Sequence, residues 1–192
     1  KEHLCSNRII LGMNRPIERQ GGFAEFVSIP DRNIYNLPSG LTIKEAPIAE
    51  PTAVALHAVE LGEKSMSKDI NETKALIIGG GAIGLLCGLI LSKVKKCNDI
   101  VIVDPNDKRL KECSKYLDAI TVDPKNKVIT ENTYDIVFDT VGLETTRLQA
   151  IKAIKPGAII IHIGLTQQSG DFDFRKTTLQ EITFIGTYCY TN

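Results

Sequence analysis

The residues whose spacing points most directly to chemistry are Gly79, Gly81 and Gly84, which form a G-x-G-x-x-G pattern. In this pattern the first glycine permits a tight turn, the second lets the backbone approach a pyrophosphate, and the third lets a helix pack closely on a strand. The following amides, at Ala82 and Ile83, would face the phosphates from the N-terminus of the new helix. The pattern predicts a nucleotide-binding turn. Alone it is weak, because glycine turns also occur in methyltransferases, which bind an S-adenosyl compound.

A carboxylate stands at Asp104, twenty residues beyond Gly84. It closes the apolar run 100–103, which has the composition of a buried strand. An acidic residue there can accept hydrogen bonds from the ribose hydroxyls of NAD, whereas the additional phosphate of NADP would meet a like charge. The sequence thus predicts NAD rather than NADP. The alternative is that Asp104 is an ordinary turn or helix N-cap residue before Pro105.

Short apolar runs rich in branched residues alternate with segments of helical period through most of the chain. The predicted strands are 75–78, 100–103, 119–122, 134–139, 158–163 and 181–186, and the helices between them are 85–94, 105–117 and 144–154. This alternation predicts an α/β fold with a doubly wound, six-stranded parallel sheet of the Rossmann type. Ligands of such sheets bind at the carboxyl ends of the strands. Val141 and Gly164, after the fourth and fifth strands, are therefore candidate cofactor contacts, although a glycine in such a place is more often a plain turn.

The first fifty residues have a different pattern. Residues 21–30 alternate in part like a strand that ends at Pro30, and residues 31–39 form another short strand-like run bounded by turn residues. From Thr42 the period becomes helical, and prolines divide it into two short helices, the second from about Pro51 to Leu61. Two strands followed by two helices are therefore predicted.

Composition excludes several classes of function. The chain has 192 residues, 43% of them hydrophobic, and a net charge of zero, so nothing proposes nucleic acid or an anionic membrane surface as a partner. The uncharged run from Ala75 to Ser92 has the length of a membrane span, but its five glycines would break such a helix. Five scattered cysteines without a C-x-x-C pair fit a reducing compartment, so we expect a cytoplasmic protein. Because the chain starts at Lys1 without an initiator methionine, we expect a fragment.

These features together resemble the medium-chain, zinc-dependent alcohol dehydrogenase family, and most of all its polyol (sorbitol) and threonine dehydrogenase branch. The resemblance rests on Gly21-Gly22-Phe23-Ala24-Glu25-Phe26, on Ala49-Glu50-Pro51 and Val54-Ala55-Leu56-His57-Ala58, on the glycine turn and on Asp104, in the family's order. It implies that residues 1–50 are the tail of a β-rich, GroES-like catalytic domain and that residues 51–192 are the NAD-binding domain. The family's cysteine and histidine-glutamate pair, which hold catalytic zinc, would come before this segment.

The resemblance also implies roles for single residues. Glu50 matches the catalytic-zinc neighbourhood and would bind the metal or hold its water; the alternative is a carboxylate stabilised by the helix dipole. Val54 would lie against the nicotinamide. Arg109 matches a position that covers the adenine ring, and its alternative is a solvated helix charge. The alternating segment Asp171-Phe172-Asp173-Phe174 matches an edge strand that pairs with its twin across a dimer.

The implied activity is oxidation of a secondary alcohol, a polyol or a hydroxy amino acid, with hydride passed to NAD and zinc polarising the alcohol oxygen in the full-length protein. The chain alone would bind cofactor without catalysing, and a homodimer or tetramer is expected. Two alternatives stay open: a zinc-free quinone or enoyl reductase of the same superfamily that prefers NADPH, and a non-catalytic NAD-binding module. His57 and His162 are expected to be hydrogen-bonded core histidines rather than catalysts.

Overall fold

The computed structural model describes residues 2–13 and 17–190. The chain divides into two compact units, one formed by Lys1–Ala49 with Cys189–Asn192 and the other by Glu50–Tyr188. Among the described residues, the second unit contains the whole sheet and, apart from Ala49 at the start of the first helix, every helix of more than one turn.

The first unit contains little regular secondary structure among its described residues. Its regular elements are three short 3₁₀ turns, Glu2–Leu4, Asp31–Asn33 and Ala46–Ile48, and an isolated β-bridge between Ile9 and Ile17. The two strands predicted for 21–30 and 31–39 are wrong, since neither range holds a strand in the structure. Partial alternation marks a face that could be buried, but a strand also needs a neighbour to take its backbone hydrogen bonds. Phe23 and Phe26 accordingly stay fully exposed.

The second unit is built on one six-stranded sheet. Its strands are β1 Lys74–Ile78, β2 Asp99–Val103, β3 Ile120–Val122, β4 Tyr134–Asp139, β5 Ile154–His162 and β6 Thr183–Gly186. The order is β3-β2-β1-β4-β5-β6, and every pair is parallel. The predicted doubly wound parallel sheet is confirmed, with its switch point between β1 and β4.

Among the described residues, five α-helices accompany the sheet. They are α1 Ala49–Lys64, α2 Ala82–Leu89, α3 Asp107–Tyr116, α4 Glu144–Ala153 and α5 Phe174–Leu179, and a π-helical turn, Ile90–Val94, continues α2. Within the described ranges no helix is both long and apolar enough to cross a membrane.

The edge strand expected at 171–174 is wrong. Residues 171–173 lie outside any strand, and Phe174 begins α5. Asp173 is the N-cap of that helix, because its Oδ1 accepts a hydrogen bond from Lys176 N at 2.8 Å. An aspartate that satisfies a helix amide in this way favours the cap over an extended strand, whatever the alternation around it.

Both faces of the sheet are covered, which explains why its central strands are apolar throughout. On one face Ile77, Ile102 and Phe138 are buried in a core shared with residues of α1, α2 and α3. On the other face Leu76 and Val137 are buried in a core shared with residues of α4. Helices on both faces leave the carboxyl ends of the strands as the place where a ligand can reach the backbone.

Candidate functional site

The turn between β1 and α2 has the geometry that its glycines predict. Gly79 has φ of +104°, a conformation that side-chain-bearing residues rarely adopt. A Cβ at Gly84 would lie 1.9 Å from the carbonyl oxygen of Gly79, so only glycine lets α2 begin this close to β1. The first and third glycines therefore shape the turn.

The N-terminus of α2 is open. Its N-cap is Gly81, which offers no side-chain oxygen to the helix amides. A Cβ placed on Gly81 would meet nothing within 4 Å, and the next residue, Ala82, is exposed. Because the first amides of a helix have no acceptor within it, the donors at Ala82 and Ile83 can bind an anion, which the helix dipole also favours.

Asp104 follows the last residue of β2 and is tied to the glycine turn. Its side chain is 2% exposed. Oδ2 accepts from Gly80 N at 2.8 Å and from Arg109 Nη1 at 3.4 Å, while Oδ1 accepts from Asn106 N at 2.8 Å. A carboxylate has about four lone-pair positions, so these three donors leave room for one more. Asp104 therefore fixes the turn and can still accept from a ligand hydroxyl.

The structure shows which residue caps α3 and where the side chain of Arg109 lies. The N-cap of α3 is Asn106 rather than Asp104, because Asn106 Oδ1 accepts from the amides of Lys108 and Arg109. The side chain of Arg109 is 58% exposed and reaches back over Asp104. It stands beside the glycine turn, where a planar guanidinium can stack on an aromatic ring.

The other side of the switch point is a wall made of two loops, residues 140–143 after β4 and residues 163–170 after β5. Gly142 has φ of +77°, and a Cβ on Gly164 would lie 2.1 Å from the carbonyl carbon of Val141, so the two loops touch backbone to backbone. Thr166 Oγ1 donates to Val141 O at 2.7 Å, and Gln167 N donates to Gly142 O at 3.0 Å. The predicted contacts Val141 and Gly164 therefore belong to one rigid wall.

This wall adjoins the glycine turn. A Cβ on Gly79 would meet Val141 Cγ2 at 2.7 Å and Thr140 Oγ1 at 2.5 Å. The structure thus brings Asp104, the glycine turn, Val141 and Gly164 together at the carboxyl ends of β2, β1, β4 and β5.

The N-terminus of α4 differs from that of α2, because the protein itself occupies its amides. Leu143 N donates to Thr146 Oγ1 at 3.0 Å, and Glu144 N donates to Gln167 Oε1 at 2.8 Å. Of the two helices that follow the central strands β1 and β4, α2 is therefore the one whose first amide, Ala82 N, has no acceptor among the described residues.

Two buried charges in the wall were missed by sequence reasoning. Asp139, the last residue of β4, is fully buried, and Arg147 of α4 is 8% exposed. Burial alone would raise the pKa of the Asp139 carboxyl, but hydrogen bonds from His162 and from the two amides of the following turn, with the charge of His162, hold that pKa below its ordinary value. The available signal was an acidic residue closing an apolar strand just before a glycine.

The two remaining predicted site residues lie on α1. Glu50 is exposed in the first turn of that helix and Val54 is half-buried. No hydrogen bond among the described residues joins either one to the glycine turn. Residues 2–13 and 17–190 also contain no group of three histidine, cysteine or acidic side chains that could hold a metal. A zinc site needs three or four protein ligands, so the described residues do not fit one.

The parallel sheet and its glycine turn define the second unit as an α/β domain of the Rossmann type. A family profile described as zinc-binding dehydrogenase matches residues 82–192. The chain belongs to this family, and the resemblance noted in the sequence is confirmed.

Individual relatives agree with this assignment. The L-threonine 3-dehydrogenase of Legionella pneumophila (strain Corby) is 26% identical over 196 residues, which cover 98% of this chain and 54% of that protein. A solved short chain alcohol dehydrogenase of E. coli CFT073, complexed with NADH, has a TM-score of 0.83 at 21% identity, covering 99% of this chain and 56% of the other. S. aureus TarJ in complex with NADPH has a TM-score of 0.70 at 25% identity, covering 80% and 48%. The chain thus spans about half the length of the relatives it matches.

Proposed function

We propose that this chain is the cofactor-binding part of an NAD-dependent alcohol dehydrogenase that oxidises a secondary alcohol. The observation that carries the proposal is the open N-terminus of α2 joined, through the hydrogen bond from Gly80 N, to a buried carboxylate at the end of β2. A dinucleotide offers a pyrophosphate for the first of these and a ribose diol for the second.

In this proposal the carboxyl ends of β1, β2, β4 and β5 form a groove, and each part of it binds one part of the cofactor. The amides after Gly81 bind the pyrophosphate, and Asp104 accepts from the adenosine ribose. The nicotinamide half then lies across the switch point, toward Val141 and Gly164. Hydride transfer is the chemistry of the nicotinamide itself, and the protein supplies its binding and orientation.

The choice of NAD over NADP rests on charge. A 2′-phosphate beside the buried Asp104 carboxylate would meet a like charge with little water between them. The relatives do not decide the matter, because TarJ binds NADPH at 25% identity. The preference for NAD is therefore our proposal from the local geometry.

Calorimetric titration of the chain with NAD, NADH, NADP and NADPH tests this directly. We expect binding of NAD and NADH, with NADP and NADPH at least about tenfold weaker because of the like charge. Tighter binding of NADP and NADPH than of NAD and NADH would contradict the role of Asp104 in selecting NAD. Absence of binding to all four would remove the proposed function.

A second candidate is a zinc-free reductase that uses NADPH, and the NADPH complex of TarJ supports only its choice of cofactor. Zinc, which the family name implies, would need ligands from outside the described residues, with Glu50 as one proposed participant. Metal analysis of the whole protein separates these candidates: stoichiometric zinc supports the alcohol dehydrogenase, and its absence from active protein supports the reductase. A whole protein that binds NAD but oxidises no alcohol would instead be a binding module.

Self-association is also proposed, through the edge of the sheet at β6. This strand ends the strand order, so its outer backbone groups have no strand partner among the described residues. Beside it Phe172 packs against Phe174 and Phe184, each with ring centroids 5.0 Å apart, and Phe174 is 72% exposed. An exposed aromatic surface next to an open edge favours pairing with a second copy.

Sedimentation analysis checks the oligomer. We expect a dimer for the wild type and a shift to monomer for Phe174→Glu, because a charge would be buried in the pairing surface. Val128→Glu is the matched control, since Val128 is 87% exposed in the β3–β4 connection and should leave the dimer intact. A monomeric wild type at micromolar concentration would contradict the proposal.

A further inference from the structure

The Asp139 carboxylate is the centre of a hydrogen-bond network at the end of β4. Oδ1 accepts from Val141 N at 3.1 Å and from Gly142 N at 2.9 Å. Oδ2 lies 3.1 Å from His162 Nδ1 and 3.2 Å from Thr146 Oγ1. Four protein groups therefore fill the carboxylate, so it is occupied in shaping the wall and not in binding a ligand.

His162 faces Asp139 because of the sheet register. The two residues are direct partners in the parallel pairing of β4 with β5, each the last residue of its strand. The expectation of a hydrogen-bonded histidine at this position is confirmed. On its other side His162 packs against the Phe184 ring, with centroids 5.4 Å apart. Of these two contacts, only Asp139 brings a charged group to the imidazole of His162.

Gly142 is held between opposite charges through both of its backbone groups. Its N–H donates to Asp139, and its carbonyl oxygen accepts from Arg147 Nη1 at 3.0 Å. Arg147 also donates to the carbonyl oxygens of Gln167, at 3.5 Å, and Ser169, at 3.3 Å. Removing Asp139 or its histidine would therefore disturb a turn that these hydrogen bonds hold, with Gly142 at a positive φ that glycine readily adopts.

The strand order indicates which half of a dinucleotide would contact this wall. A dinucleotide lies across the switch point between β1 and β4, and Asp104 marks the β2 side as the adenosine side. The wall after β4 and β5 stands on the opposite side. It therefore meets the nicotinamide half, which ADP lacks.

We propose that Asp139 and His162 are a positioning pair for the nicotinamide half of the bound dinucleotide. The buried carboxylate fixes the turn that carries Val141, and His162 holds that carboxylate in place. Neither residue touches the ligand. This inference rests on the proposed function, and it assigns a role to two residues on the far side of the groove from the NAD-selecting carboxylate.

The test compares NADH with ADP on the same variants of the chain. His162→Leu removes the donor to Asp139, and we expect NADH affinity to fall about tenfold while ADP affinity changes less than about twofold. His162→Asn, whose amide can donate from the Nδ1 position, should recover most of the NADH affinity. Asp139→Asn should show the same selective loss as His162→Leu, provided that its thermal unfolding shows it to be folded.

The outcomes separate this inference from the proposed function. Equal losses of NADH and ADP affinity would show a general structural role and overturn the positioning pair, as would an unchanged NADH affinity in His162→Leu. Failure of His162→Asn to recover binding would also count against it. Wild type that binds neither NADH nor ADP would instead refute the proposed function itself.

Discussion

Alanine at Gly81 should abolish tight dinucleotide binding without disturbing the fold, whereas alanine at Gly84 should disturb the fold itself. A Cβ on Gly81 meets no protein atom within 4 Å, so it occupies the space that the pyrophosphate needs. A Cβ on Gly84 would lie 1.9 Å from Gly79 O and 3.2 Å from Ile77 Cγ2, so α2 must move away from β1. We expect Gly84→Ala to lower the free energy of unfolding by about 3 kcal/mol or more.

Two measurements distinguish these effects. Denaturant unfolding should give a near wild-type free energy for Gly81→Ala, within about 0.5 kcal/mol, and calorimetry should show NAD affinity reduced at least about a hundredfold. Gly88→Ala is the control on the same helix. Its Cβ would meet the end of a side chain, Leu117 Cδ1 at 2.6 Å, rather than backbone, so its effect on stability should be smaller than that of Gly84→Ala. Normal NAD binding by Gly81→Ala would place the pyrophosphate elsewhere.

Removal of the Asp104 carboxylate is expected to have the second largest effect, on the choice between cofactors. Asp104→Ala removes an acceptor for the ribose and leaves the amides of Gly80 and Asn106 without their partner. NAD affinity should fall at least about tenfold. NADP affinity should fall less or rise, because the repulsion of its 2′-phosphate disappears and two unpaired donors can face that phosphate.

The ratio of the two dissociation constants is the decisive readout, since it cancels any general weakening of the turn. Asp107→Asn is the matched control: it removes a nearby negative charge that is exposed in the first turn of α3, where water and salt screen it. The ratio should stay near the wild-type value in Asp107→Asn. A ratio unchanged in Asp104→Ala would mean that Asp104 serves the turn alone.

The sheet could be predicted because each of its signals is local. Branched apolar runs marked all six strands, and glycine spacing marked the turn, since both depend on a few neighbouring residues. Strand prediction failed over 21–39, where it rested on partial alternation and on bounding turn residues, and at 171–174, where it rested on alternation. In the first range no neighbouring strand takes the backbone hydrogen bonds, and in the second Asp173 caps a helix.

The arrangement of charged side chains could not be predicted from local sequence patterns. Asp104 was recognised by its place after a strand, but its hydrogen bond to Gly80 N joins residues 24 apart. Asp139 and His162 are 23 residues apart and meet because β4 and β5 are neighbours in a particular register. Register and strand order follow from packing of the whole domain, so such pairs appear only in the structure. The domain boundary at residue 50, the cytoplasmic location and the roles of Glu50 and Val54 stay predictions.

The occupied amides at the start of α4 have a consequence for symmetry. The units β1-α2-β2 and β4-α4-β5 are both βαβ units with a buried carboxylate that accepts from a glycine amide. Asp104, after β2, accepts from Gly80 N, and Asp139, the last residue of β4, accepts from Gly142 N. A groove with two equal halves could accept a dinucleotide in either sense. Here Thr146 and Gln167 accept from the amides of Leu143 and Glu144 at the start of α4, so the two halves differ in the donors that they offer to a phosphate. Under the proposed function a dinucleotide would then lie in one direction, with its nicotinamide half on the β4 side.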